Sequence, residues 1–297
     1  MNNEFSALIK KVESLVDRIE PLFPQKIKTP DWRTTVACRW KYYNSIGFLQ
    51  PVEIPDGIVM RDLYAIKEQK KRIEQNTRQF IDGYPSNNVL LTGSKGTGKS
   101  SLVKALLNKY KKNKLRLIEV EKNELKELPQ ILDLIQNEPF RFIIFCDDLS
   151  FGAEDEAYKA LKVALDGSVS AASDNVLIYA TSNRRHLLPE YMSENLETRY
   201  VGEEIHQGEN VEEKISLSER FGIWVHFDSF TQEEYLEIVF YWVAKLSRGT
   251  IDPDQTIARN ALQWALERGS RSGRIAFQFA KDEVGSKALF AKKNKKP

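Results

Sequence analysis

The stretch NVLLTGSKGTGKS, residues 88–100, decides the fold. Its first half, NVLLTG, is centred on the apolar run Val89 to Leu91 and reads as a buried strand. Its second half sets Gly93, four residues, then Gly98, Lys99 and Ser100. That spacing is the phosphate-binding loop, in which glycines let backbone N–H groups turn toward phosphate oxygens. A helix predicted over 99–110 begins at the loop, so its partial positive N-terminus falls on the same phosphates. Gly93, Ser94, Lys95, Gly96, Thr97, Gly98, Lys99, Ser100 and Ser101 are therefore expected to cradle a nucleotide. Lys99 is expected to reach the β- and γ-phosphates, and the Ser100 hydroxyl to ligate Mg²⁺.

Outward from the loop, apolar strands alternate with helices. Strands are predicted at 88–93, 115–120, 141–147, 175–182 and 222–229, with helices at 61–80, 99–110, 124–135 and 154–165. Nearly continuous apolar strands alternating with helices predict a parallel sheet covered on both faces. From Thr231 onward only helices are predicted, at about 231–246, 256–268 and 272–290. The expected organisation is an irregular or helical extension over 1–60, an α/β nucleotide-binding domain over 61–229, a helical lid over 230–290 and a basic tail over 291–297. The fold class expected is α/β, a three-layer sandwich with a parallel five-stranded sheet.

The third strand, RFIIFCD, ends in Asp147 and Asp148. A carboxylate at the C-terminal end of a neighbouring parallel strand faces the same crevice as the loop. Asp147 is expected to hold Mg²⁺. Asp148 is expected to position an attacking water, or to tune Mg²⁺ from one shell further out, because aspartate is a methylene shorter than glutamate. Cys146 reads as a small core residue. The fourth strand ends in ATSNRR, which places Asn183 beside the Asp147 strand, where its amide could orient the water. SLSERFG places Arg220 just before the fifth strand, and GSRSGRIA places Arg271 and Arg274 at the start of the last helix.

In this order the loop, the Asp-ended strand, the Asn-ended strand, the pre-strand arginine and the lid arginine resemble AAA+ ATPases. More closely, NNVLLTGSKGTGKSSLVKALLNKY, RFIIFCDDLSF, NVLIYATSNRRHLLPEYMSENLE, VEEKISLSERFGIWVHF and RGSRSGR resemble a bacterial family of predicted AAA+ ATP-binding proteins of uncharacterised function. The resemblance covers about Asp31 to Gly285. It implies the AAA+ fold and ATP. It also implies Asn183 as sensor 1, Arg220 as an arginine finger supplied to a neighbouring copy, and Arg274, or Arg271 in its place, as sensor 2. Self-assembly follows from such a finger. DDLSF is also similar to the Asp-Asp strand end of replication-initiator and helicase-loader ATPases. Threading unfoldases carry an aromatic–apolar–Gly loop after the second strand, and EVEKNELKELPQ has none. Many AAA+ proteins place Gly in the segment that contacts adenine; here LYAIKEQ has Ala65, which puts the contact of Tyr64 to Ile66 with the base in doubt.

The remaining features bound the reading. With 297 residues, 41% hydrophobic and 29% charged, the chain reads as soluble and globular. A net charge of +2 demands neither nucleic acid nor a membrane surface. The first helix, with Phe5, Leu8, Ile9, Val12, Leu15, Val16 and Ile19 on one face, is interrupted by Lys10, Lys11, Glu13 and Asp17 and is not a secretory signal. It packs on its own core or docks a partner. Cys38 and Cys146 are the two cysteines, which fits a reducing cytoplasm, and His186, His206 and His226 show no metal spacing. DWRTTVACRWKYY mixes aromatics and cations, either to clamp the segment onto its own domain or to stack single-stranded bases. The charged insertion over 183–218 is a solvated loop or a partner contact. Together these features predict an ATPase that remodels or loads a macromolecular client, or a slow ATP-dependent switch that regulates a protein or nucleic-acid partner. A small-molecule kinase leaves Asn183 and the lid unexplained.

Overall fold

A computed structural model describes residues 29–43, 46–53, 57–151, 155–166, 174–184, 199–201, 204–206 and 219–293. The helix expected over Phe5 to Ile19 and the end of the tail at 294–297 lie outside the described residues. The strands are β1 (Ala37–Tyr43), β2 (Ile46–Pro51), β3 (Val89–Gly93), β4 (Leu115–Glu119), β5 (Arg141–Cys146), β6 (Val176–Ser182), β7 (Arg199–Val201), β8 (Glu204–His206) and β9 (Ile223–Phe227). The helices are α1 (Lys67–Ile81), α2 (Lys99–Tyr110), α3 (Leu128–Ile135), α4 (Glu156–Asp166), α5 (Gln232–Leu246), α6 (Gln255–Glu267) and α7 (Gly273–Lys293).

One sheet runs in the order β2-β1-β4-β5-β6-β3-β9. The five expected strands are all present and pair in parallel: β4 with β5, β5 with β6, β6 with β3, and β3 with β9. Alternate residues feed two cores. Leu91, Ile143, Phe145 and Tyr179 face α1, α2 and the lid. Leu90, Phe142, Ile144, Cys146, Ile178 and Ala180 face α3 and α4. Each strand is thus apolar at nearly every position because each face has its own cover.

The sheet is wider than five strands. β1 pairs in parallel with β4, and β2 closes antiparallel on β1. Both come from the stretch expected to be irregular and to belong to an N-terminal extension. The signal was a period-two alternation. Cys38 and Trp40 are buried, while Arg39 and Lys41 point away and pair with Glu119 at 2.8 Å and Glu121 at 2.7 Å. Trp32 meets the Phe142 ring edge-on at 4.8 Å, and its carbonyl accepts from Arg116 Nε at 2.7 Å. The Trp-rich, basic stretch therefore clamps onto its own domain.

Two helix boundaries differ from expectation. The helix expected from Arg61 starts at Lys67, after a short 3₁₀ turn at Met60–Asp62. Between them Ala65 takes φ 57°, a left-handed backbone that ends any helix. The helix expected from Glu124 begins as a 3₁₀ segment, Lys122–Glu127, and becomes α-helical at Leu128, with Pro129 in its first turn. The charged insertion contains a short hairpin, β7 on β8, with Val201 opposite Glu204.

The helices expected to form a lid are α5, α6 and α7. Thr231 Oγ1 accepts from the Glu234 N–H, and Glu234 Oε2 accepts from the Thr231 N–H, a reciprocal cap that starts α5 immediately after the sheet. Among the described residues no helix is long and apolar enough to cross a membrane.

Candidate active site

The phosphate loop is the turn between β3 and α2. Gly93, with φ 122°, closes β3 where a Cβ would lie 2.0 Å from the Phe227 carbonyl oxygen on β9. Only glycine lets the two strands approach this closely. Gly96 and Gly98 also take left-handed backbones, at φ 75° and 102°. Thr97 Oγ1 donates to the Ser94 carbonyl at 2.8 Å and braces the turn from within. Ser94 Oγ meets Ser229 Oγ at 2.7 Å on the outer side.

The loop opens into a cleft of about 650 Å³. Lys95 through Ser101 line its floor; Gly93 and Ser94 lie behind it. Asp147, Asp148, Thr181 and Asn183 line one wall, and Arg274 and Phe277 of α7 line the lid side. The far end is apolar, built from Ile58, Leu63, Tyr64 and Ile66 between β2 and α1 and from Ile238, Trp242 and Leu246 of α5. Tyr64 stacks on Tyr241 at 4.5 Å, and Trp242 meets Phe277 at 4.6 Å. A polar, cationic floor joined to an aromatic end suits a phosphate chain carrying a flat heterocycle. Ala65, which stands where many AAA+ chains place glycine, adopts the glycine-like backbone nonetheless.

One hydrogen-bonded chain runs along the wall. Ser100 Oγ and Thr181 Oγ1 each donate to Asp147 Oδ1 at 2.6 Å. Thr181 Oγ1 accepts from the Asp148 N–H at 2.8 Å. Asn183 Nδ2 donates to Asp148 Oδ1. Asn183 Oδ1 accepts from Lys99 Nζ at 3.2 Å, which also donates to the Gly93 and Ser94 carbonyls at 2.7 Å each. The parallel register of β5 and β6 causes this meeting, because Cys146 stands opposite Ala180, so that Asp147 and Asp148 leave β5 beside Thr181, which β6 still pairs with β3. Asp148 takes φ 54°, an uncommon backbone outside glycine that costs about 1 kcal/mol. Lys99 is almost fully buried, and burial pulls its ammonium down to about 8, with Asp147 and Asp148 offsetting part of the shift. Burial pushes the Cys146 thiol up to about 12, consistent with an inert core residue.

Among the described residues no group of three or more His, Cys, Asp or Glu could hold a metal ion. The donor set beside the loop is one hydroxyl and one carboxylate, Ser100 and Asp147. That set suits Mg²⁺, which keeps several waters and completes its shell with phosphate oxygens.

The two lid arginines separate. Arg274 lines the nucleotide-sized cleft, and Arg271 lines a neighbouring cavity on the far side of the loop, with Lys95 and Ser94. The lid touches the loop directly, since the Gly273 N–H donates to the Gly96 carbonyl at 2.9 Å. Arg220 directly precedes Phe221 and Gly222, which lead into β9, and it does not line the cleft. Sequence reasoning missed Thr181, whose signal was a hydroxyl two positions before Asn183. It also missed Asp62, buried with Tyr241 and Lys245 donating to its Oδ1.

A family model described as "Protein of unknown function (DUF815)" matches residues 33–287. The chain belongs to the DUF815 family. No curated protein matches it. Among solved structures it is similar to a single-substitution variant of Thermotoga maritima RuvB, with TM-score 0.51, 16% identity and coverage of 77% of this chain and 65% of that one. It is also similar to the Aeropyrum pernix ORC1 protein in complex with DNA, with TM-score 0.53, 14% identity and coverage of 79% and 62%. The chain thus spans less than two thirds of either relative's length. At such identities the likeness concerns the fold, which is the AAA+ type of P-loop sandwich expected, with two additional edge strands.

Proposed function

We propose that this DUF815 chain is an AAA+ ATPase that binds and hydrolyses Mg-ATP, self-assembles, and remodels or loads a macromolecular client. The observation that carries the reading is the hydrogen-bonded chain from Ser100 through Asp147, Thr181, Asp148 and Asn183 to Lys99. It joins Ser100 and Lys99 on the floor of the cleft to Asp147, Asp148 and Asn183 on its wall, which supports reading Ser100 and Asp147 as cation-binding and Asp148 with Asn183 as water-positioning. The loop amides and Lys99 bind the phosphates, and the aromatic end takes the base. Mg²⁺ held by Ser100 and Asp147 would neutralise charge on the β- and γ-oxygens. Asp148 and Asn183 hold the attacking water. Arg274 reaches the phosphates from the lid. Arg220, outside its own cleft, serves a neighbour's nucleotide in the assembly. The reading places the protein in the cytoplasm and away from membranes.

One observation favours slower turnover. Asp148 is the shorter acid and its Oδ1 is tied to Asn183. A switch that holds ATP and regulates a protein or nucleic-acid partner is the second reading.

ATP hydrolysis by the wild type beside Lys99→Ala, Asp148→Asn and Arg220→Ala tests both. The ATPase reading expects all three variants to lose activity, with the Arg220→Ala defect relieved by mixing in Asp148→Asn subunits that donate the finger. Full activity of Arg220→Ala at every protein concentration would discard the in-trans finger. Tight nucleotide binding with equal turnover in wild type and Asp148→Asn would select the switch. A pull-down with Asp148→Asn held in ATP, read by mass spectrometry and for nucleic acid, identifies the client.

A further inference from the structure

Thr181 bonds to both acids of the wall, although no motif singles it out. It lies on β6 two positions before Asn183 and is 2% exposed. Its hydroxyl donates to Asp147 Oδ1 at 2.6 Å and accepts from the Asp148 N–H at 2.8 Å. Its carbonyl accepts from the Leu149 N–H at 2.7 Å. Three successive residues after β5 are thus latched to one residue of β6. The carbonyl bond survives any substitution; the other two belong to the hydroxyl alone.

Each hydroxyl bond has a consequence. With Thr181 and Ser100 both on Asp147 Oδ1, the second oxygen, Oδ2, has no hydrogen-bond partner among the described residues. The two bonds hold the carboxylate in one rotation and leave Oδ2 as the oxygen available to a cation. The Asp148 N–H is the second anchor. Asp148 has the left-handed φ of 54°, and the bond to Thr181 fixes the peptide plane that leads into it. That plane aims the Asp148 side chain at Asn183. A hydroxyl has one proton and two lone pairs, so it can act as donor and acceptor at once; neither valine nor alanine can.

We propose that Thr181 is a positioning residue for this site, setting which oxygen of Asp147 meets the cation and holding Asp148 in register with Asn183. It acts through those two carboxylates. The assignment rests on the Mg-ATP reading above.

Thr181→Val keeps the shape and removes the hydroxyl; Thr181→Ala removes it without branching, should valine fail to fold; Thr181→Ser keeps it. Two measurements separate positioning from packing. The first is binding of a fluorescent ADP analogue with and without Mg²⁺. Without Mg²⁺ the valine or alanine variant should bind within about twofold of wild type, because the loop is untouched. The Mg²⁺ concentration that half-saturates the metal-dependent increase should rise roughly tenfold, the size expected for one lost hydrogen bond to a charged group. The second is steady-state hydrolysis, where kcat should fall at least tenfold with little change in KM for ATP, and serine should recover most of the loss. A hydroxyl-free variant with wild-type Mg²⁺ dependence and kcat overturns the assignment. So does a serine variant as impaired as valine. A wild type that binds no Mg-nucleotide overturns the ATPase reading itself, and the assignment with it.

Discussion

Asn183 takes the last free donor of Lys99. The ammonium lies 2.7 Å from the carbonyls of Gly93 and Ser94 and 3.2 Å from Asn183 Oδ1, and an ammonium has three protons. A phosphate oxygen can reach Lys99 only by displacing one of these partners. The two carbonyls belong to the loop backbone, whereas the Asn183 amide ends a side chain and makes the longest contact. Nucleotide binding should therefore release Asn183 from Lys99 while its other end stays on Asp148. Asn183→Ala should bind nucleotide within about threefold of wild type yet hydrolyse it about 10²-fold more slowly, as for other lost active-site donors. Equilibrium binding beside single-turnover hydrolysis checks the split; a loss confined to affinity would contradict it.

The depressed Lys99 ammonium gives nucleotide binding a pH signature. Burial brings it to about 8, while phosphates favour its charged form and raise it again in the complex. Below pH 8 both states hold the proton and affinity is flat. Above pH 8 the free protein loses the proton that the complex keeps, so affinity falls as pH rises, by up to about tenfold per unit. Binding somewhat above that pH should take up a fraction of a proton, measurable by calorimetry in two buffers of different ionisation enthalpy. Lys99→Arg, charged throughout, should lose this dependence.

Asp62 ties the segment between β2 and α1 to α5. Its side chain is 2% exposed and accepts from Lys245, whose own side chain is 35% exposed, and from the Tyr241 hydroxyl. Burial and the bond to Asp62 both raise the Tyr241 phenol, burial most. Asp62→Ala strands the tyrosine hydroxyl but lets the half-exposed lysine turn to water, so the cost should be about 2 kcal/mol, below that of a fully buried pair. Urea unfolding should show a lower midpoint at unchanged slope. Because both tethers sit at the base end of the cleft, KM for ATP should rise as well.

The two lid arginines should separate in kinetics as they do in space. Arg274 lines the cleft and Arg271 the cavity behind the loop. Arg274→Ala should lower kcat/KM for ATP at least tenfold, the scale of a lost charge-assisted contact. Arg271→Ala should stay within about twofold on the same scale. The reverse pattern would move the lid contact three residues upstream.

Much of this protein is readable as a string. The loop spacing around Lys99, the apolar runs of β3, β5 and β6, and the carboxylates and amide that end two of them are local patterns. Local patterns fix local structure: glycine spacing sets a turn, and an unbroken apolar run demands a strand covered on both faces. β1 too carries its signal, the alternation of Cys38, Arg39, Trp40 and Lys41, in a stretch whose aromatic and basic content masks the period. What the chain could not declare locally was register and close approach. Cys146 lies opposite Ala180 only because β5 and β6 pair in one register, and that pairing alone brings Thr181 onto Asp147 and Asp148. Tyr241 and Lys245 find Asp62 across about 180 residues of chain, and Arg274 parts from Arg271 through one turn of the chain into α7. These contacts are set by how helices and strands pack. A hydroxyl or a carboxylate takes its role from the one partner that packing places within hydrogen-bond reach.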